Sequence, residues 1–124
     1  MKTSYYSYYT GNDGVSISLY PPKNWKGKIY KPLAPTNEIL SDIRAGRINE
    51  EQYTIRYKQE VLSKLDPQVI YDIFKDKVLL CYETPREFCH RKIVATWIKE
   101  ELGIKVFEWH KSDKQIINNI SLFP

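Results

Sequence analysis

Apolar and polar positions alternate with two different periods along this chain, and the change from one to the other marks its elements. Thr3 to Thr10, TSYYSYYT, mixes aromatic and hydroxyl residues in the way of an extended strand, and Gly11-Asn12-Asp13-Gly14 is a turn signal. Val15 to Tyr20, VSISLY, alternates apolar and small polar residues as a second strand, which Pro21-Pro22 ends. Pro22 to Pro35, PKNWKGKIYKPLAP, has no helical period and predicts an ordered loop of a length that tends to be functional.

The period then becomes helical. Thr36 caps a short helix with Ile39, Leu40 and Ile43 on one face, ending near Gly46, and Asn49 with Gln52 forms a capping box for the next. Tyr53, Tyr57, Val61 and Leu65 recur every fourth residue, with Leu62 beside them, as a core stripe. Asp66-Pro67 starts a third helix, whose predicted buried face is Val69, Ile70, Ile73 and Phe74.

Val78 to Tyr82, VLLCY, is a continuous apolar run, as in a strand covered on both faces. A fourth helix opening on Cys89-His90-Arg91 follows, with Ile93, Val94, Trp97, Ile98 and Leu102 inward and Gly103 as its stop; Ile104 to Trp109 reads as a last strand. Strand, helix and strand at this spacing form a βαβ crossover, so the sheet is expected to be at least partly parallel. A ligand site should then lie beyond the carboxyl ends of its strands. Ser112 to Pro124 fits either a short helix or an edge strand.

Composition narrows the class. A chain of 124 residues, 42% hydrophobic and 27% charged, fits a single domain over residues 1–124. The apolar runs are far shorter than a bilayer span, and polar, tyrosine-rich sequence follows Met1-Lys2, so a cytoplasmic protein without membrane contact is expected. Two cysteines make no disulfide framework; a reducing compartment is the default, with a Cys81 to Cys89 bridge as the alternative. The net charge of +4 is interleaved along the chain rather than gathered in a stripe, which argues against nucleic acid but suits a small anion.

Candidate chemistry gathers at the fourth helix. Unpaired amides and the macrodipole at a helix start favour an anion, Arg91 offers a planar fork, His90 a donor or proton shuttle, and Cys89 a favoured thiolate. The plainer alternative makes Cys89 a buried filler, His90 a loop anchor and Arg91 the partner of Glu83 or Glu87. No cofactor signature is present, and metal ligation by Cys81, Cys89 and His90 is set aside because their spacing matches no zinc knuckle. Glycine-rich nucleotide loops, a Ser-His-Asp signature and the phosphatase spacing of cysteine to arginine are also missing.

The run VLLCYETPREFCHRKIVATWI resembles the Cys-His-Arg signature of the bacterial and phage family catalogued as domain of unknown function four-eighty-eight, in which LLC-x-E is followed by CHR and a helix. ISLYPP, LAP and INEEQYTIRYKQEVLSKLD resemble its upstream pieces, so the likeness covers Val15 to about Trp109. The resemblance implies a small three-layer α/β domain, Rossmann-like, with a mostly parallel sheet flanked by helices. It also implies a pocket near Glu83 and the Cys-His-Arg turn. Where many relatives carry an acidic residue and an arginine after the second strand, this chain reads Ile17-Ser18-Leu19-Tyr20. If that acidic residue serves catalysis in relatives, this chain binds without turnover.

The expected function is binding of a small phosphorylated ligand, a nucleotide or nucleotide-derived signal, possession of which could amount to sequestration. Cys89, His90, Arg91, Glu83 and Tyr82 form the expected pocket, with Tyr20, Trp25 and Tyr30 as stacking rings. Two alternatives stand beside it. One is an enzyme acting on a nucleotide or glycosidic bond through Glu83 with Cys89 or His90. The other is a protein-interaction module whose tyrosine-rich first strand docks a partner or a second copy, making a homo-oligomer.

Overall fold

The computed structural model describes residues 1–112. Its elements are β1 (Lys2–Tyr5), β2 (Gly14–Ser16), β3 (Lys28–Ile29), α1 (Asn37–Arg44), α2 (Glu50–Glu60), α3 (Pro67–Phe74), β4 (Val78–Cys81), α4 (His90–Leu102) and β5 (Phe107–Glu108). The strands form one sheet in the order β3-β2-β4-β1-β5, and every pairing is parallel. This is the small α/β, Rossmann-like domain that the βαβ spacing and the resemblance foretold. Among the described residues no helix is long and apolar enough to cross a membrane.

Direction of travel decides which layer each connection joins. The links from β1 to β2 and from β2 to β3 run toward the β3 edge, whereas those from β3 to β4 and from β4 to β5 run the other way. A fixed crossover hand sends opposite directions of travel to opposite faces. Accordingly Val15, Ile17 and Leu79 pack with residues of all four helices, including Ile39, Tyr57, Ile70 and Ile98. The other face, Val78 and Leu80, is covered by Trp109, Tyr6, Tyr8, Tyr9 and Trp25. Helices thus cover one face of the sheet, and loop aromatics form the layer on the other.

Aromatic covering needs room at the start of β2. A Cβ on Gly14 would stand 2.7 Å from a Leu80 methyl and 3.2 Å from the Trp25 ring, so the glycine lets the rings close onto the sheet.

Local signals set most element ends. Thr36 Oγ1 accepts from Ile39 N at 3.2 Å, Asp66 caps α3 ahead of Pro67, and Gly103 at φ 72° ends α4. Both halves of the capping box form, Gln52 N to Asn49 Oδ1 at 2.8 Å and Asn49 N to Gln52 Oε1 at 2.9 Å. Asn49→Ala should therefore cost about 1 kcal/mol in urea unfolding. Gln52→Ala should cost less: each variant strips one amide of its partner, but alanine is a good helix former at position 52 and a poor N-cap at position 49; equal stability of Asn49→Ala and the parent would refute the role of the cap.

Other expectations need correction. The first strand stops at Tyr5 rather than Thr10, because Tyr8 N and Tyr9 N both turn back to the Tyr5 carbonyl at 3.1 Å. The second strand ends at Ser16, and the loop from Pro22 to Pro35 contains β3 and a short 3-10 turn at Lys31–Leu33. Val69 and Ile73, expected inside, are each 51% exposed: α3 buries its i, i+4 pair Ile70 and Phe74 in the core, with Tyr71 packed against it part-buried. The stripe of α2 continues beyond its end at Glu60 as a 3-10 turn that buries Leu62. The last strand is confined to Phe107–Glu108, and the ambiguous segment after Ser112 lies outside the described residues.

Candidate functional site

Among parallel strands a crevice opens where neighbouring strands send their chains opposite ways. Here that point lies between β2, which leaves toward β3, and β4, which leaves toward β5. Beyond their carboxyl ends Ser18, Leu19, Tyr20, Pro35, Leu40, Arg44, Tyr82, Glu83 and His90 line a cavity of about 50 Å³. That volume holds a water or two. Tyr82 OH donates to the Tyr20 backbone carbonyl at 2.6 Å, which ties the end of β4 to the chain beyond β2, and Tyr20 OH donates to Asn37 Oδ1 at 3.1 Å, which ties that ring to the start of α1.

Four of the residues singled out in the sequence meet here, namely Tyr20, Tyr82, Glu83 and His90. Tyr20 and Tyr82 are exposed, at 57% and 51%. Nearby Glu83 negative charge helps to raise the phenol pKa of Tyr6, Tyr53 and Tyr82, though burial is the larger cause in each. His90 is buried, and its Nε2 lies 2.7 Å from the Ile17 carbonyl. A carbonyl can only accept, so Nε2 carries the proton and Nδ1 the lone pair. Burial, with a smaller push from Arg91, lowers its pKa to about 4, against the lesser opposing effect of that bond. At neutral pH the ring is uncharged and brings no positive charge to an anion.

Arg91 turns inward. Fully buried, it donates from Nε to Glu108 Oε1 at 2.8 Å and from Nη2 to Oε2 at 3.4 Å. Its Nη1 reaches the Glu83 carbonyl at 2.6 Å and Cys81 Sγ at 2.8 Å, and the Tyr5 ring lies 5.6 Å away. The partner that sequence reasoning offered, Glu83 or Glu87, is replaced by Glu108 on the edge strand, with Glu83 contributing only its backbone. With its donors so engaged, Arg91 braces β4, α4 and β5 together rather than facing the crevice.

Cys89 caps α4, its sulfur accepting from Arg91 N at 3.5 Å, and the structure joins it to Cys81 as a disulfide. The Cys81 to Cys89 alternative is therefore the one found. Trp25 and Tyr30 stand away from the crevice: Trp25 packs edge-on to Tyr6 on the aromatic face, and Tyr30 meets Phe74 at 4.9 Å on the helical face.

Arg44 escaped the sequence reading. It is the last residue of α1 and exposed; its positive charge acts on the Tyr82 hydroxyl, easing the rise that burial causes there. Among the described residues it makes no ion pair. A basic residue in the last turn of a helix is an ordinary complement to the dipole, and only the packing of α1 over the sheet edge shows that it faces a crevice. A roomier cavity of about 530 Å³ lies at the opposite edge, beside the strand starts, between Tyr9, Trp109, Lys75 and Lys77. Strand polarity and the meeting of Glu83, His90 and Arg44 favour the crevice as the functional site.

A family model described as DUF488-N3a, active DUF488-N3 subclade, matches residues 8–102. No curated protein and no solved structure matches the chain.

Proposed function

The chain belongs to the DUF488 family, and on that footing we propose that it binds a small phosphorylated ligand, a nucleotide or nucleotide-derived signal, in the crevice between β2 and β4. The observation that carries this reading is an exposed guanidinium, Arg44, set at the switch point beside two exposed tyrosine rings and a carboxylate. Arg44 takes the place first expected of Arg91 as the group that holds phosphate oxygens. Tyr20 or Tyr82 stacks on the base, and Glu83 accepts hydrogen bonds from sugar hydroxyls. A ligand of nucleotide size enters only once the Tyr82 to Tyr20 bond gives way, at a net cost of about 1 kcal/mol. The expected setting is the cytoplasm, where such ligands are found.

Titration calorimetry with a panel of mono-, di-, cyclic and dinucleotides tests this. At least one should bind. Because a charged hydrogen bond contributes about 1.5 to 3 kcal/mol, Arg44→Ala should then weaken it roughly 10- to 100-fold, with Arg44→Lys falling between. Absence of heat across the panel would refute the proposal. An enzymatic reading has one specific support, the word active in the description of the matching family model. In that reading Glu83 serves as acid, base or nucleophile on the bound ligand. Mass analysis of ligand recovered after incubation separates the two: a changed mass means turnover, an unchanged one sequestration.

A further inference from the structure

Cys81, Cys89 and His90 form a cluster whose three donor atoms all lie within 4.8 Å of one another, buried beside the crevice. We propose that the reduced protein binds a thiophilic metal ion, zinc(II) above all, through Cys81 Sγ, Cys89 Sγ and His90 Nδ1. This goes beyond the nucleotide reading and does not rest on it.

Backbone spacing is the first support. The Cα atoms of Cys81 and Cys89 are 7.5 Å apart, beyond the roughly 4.4 to 6.8 Å usual for disulfides. Two thiolates on one tetrahedral zinc, each at about 2.3 Å, stand about 3.8 Å from each other, which suits a wider pair of backbones. His90 Nδ1 is 4.0 Å from Cys89 Sγ, close to the sulfur to nitrogen edge of such a tetrahedron.

Orientation is the second. A metal-binding imidazole commonly donates its other N–H to a carbonyl or carboxylate, which fixes the tautomer and aims the lone pair. The Ile17 carbonyl does this at 2.7 Å, leaving Nδ1 to face the sulfurs. The sulfurs, too, have the partners that thiolates need, with Arg91 Nη1 at 2.8 Å from Cys81 Sγ and Arg91 N at 3.5 Å from Cys89 Sγ.

Charge is the third. Two buried thiolates carry two negative charges, which a divalent ion cancels, while Arg91 is already balanced by Glu108. Three protein donors leave one position for water or for an atom of a ligand in the crevice that His90 also lines. The steps balance. A dithiol reductant gives two electrons and two protons to the disulfide and is itself oxidised to a disulfide; each thiol then releases its proton to solvent as the ion binds.

Anaerobic titration of cobalt(II) into the full chain, after reduction with an excess of dithiol and its removal, reads the site. One cobalt per chain should bind, with thiolate-to-metal charge-transfer absorption and the intense visible bands of a tetrahedral ion, and zinc should displace it. Oxidised protein of the same sequence should show no charge-transfer band. Cys81→Ser, Cys89→Ser and His90→Gln should each weaken binding more than about 10- to 100-fold, the loss that removing even an outer partner of a metal ligand brings. Circular dichroism of each variant separates lost ligation from lost fold. If a variant is unfolded, the comparison of oxidised and reduced parent protein decides. Absence of the charge-transfer band from reduced parent protein, or its survival in a folded cysteine variant, would overturn the proposal.

Discussion

Glu108→Ala should destabilise the protein by about 3 to 5 kcal/mol, enough for a small domain to lose much of its stability. The guanidinium of Arg91 has no exposure to solvent, whereas the Glu108 side chain retains 26%. Removing the acid therefore leaves a cation sealed in the interior with, among the described residues, a sulfur, one carbonyl and the Tyr5 ring for company. Thr3 Oγ1, which donates to Glu108 Oε1 at 2.7 Å, loses its partner as well. Arg91→Met should cost less, because the remaining carboxylate can rehydrate and the methionine fills part of the space. The double variant Arg91→Met, Glu108→Ala should be more stable than Glu108→Ala alone, since neither charge is then stranded. Urea unfolding of the four proteins closes the cycle. Additive losses would show that the pair does not act as a unit.

The second large effect is on pH dependence. His90 is held neutral in the folded protein, its pKa lowered by burial from 6.5 to about 4. Between those values the unfolded chain takes up a proton that the folded chain refuses, so stability is complete above pH 6.5 and falls as the solution is acidified. The slope is about 1.4 kcal/mol per pH unit, and the loss approaches about 3 kcal/mol near pH 4. Unfolding of oxidised, chelator-treated protein at pH 7.5 and pH 4.5 measures it. His90→Gln has no such proton to take up and should lose less on acidification than the parent, the carboxylates contributing alike to both. Equal losses would show that His90 is not the responsible group.

Both effects come from side chains whose sequence setting suggested another role. Cys89-His90-Arg91 reads as a cationic triplet at a helix start, and the helix does start there, with Cys89 as its cap. What the triplet does was hidden. His90 loses its charge to burial under Ile17, and Arg91 is claimed by Glu108, seventeen residues downstream on a strand that spans two residues. Local sequence shows which groups are near one another along the chain; it does not show which distant carboxylate will reach them. Arg44 illustrates the converse, an unremarked helix-end arginine placed over the crevice by the packing of α1.

Where spacing within a few residues is enough, the chain alone determined the outcome. The caps at Thr36, Asn49 and Asp66, the stop at Gly103, the apolar strand VLLC and the core positions Tyr57, Val94 and Ile98 all follow from hydrogen bonds and periodicities local to one turn. The βαβ spacing likewise foretold a parallel sheet. Tertiary structure alone decided the strand order and, through the hand of the crossovers, which face bears helices and which bears aromatics. It also brought Glu83, His90, Tyr20 and Arg44 to one crevice and turned Arg91 away from it, because burial and charge pairing depend on neighbours that only the folded chain supplies.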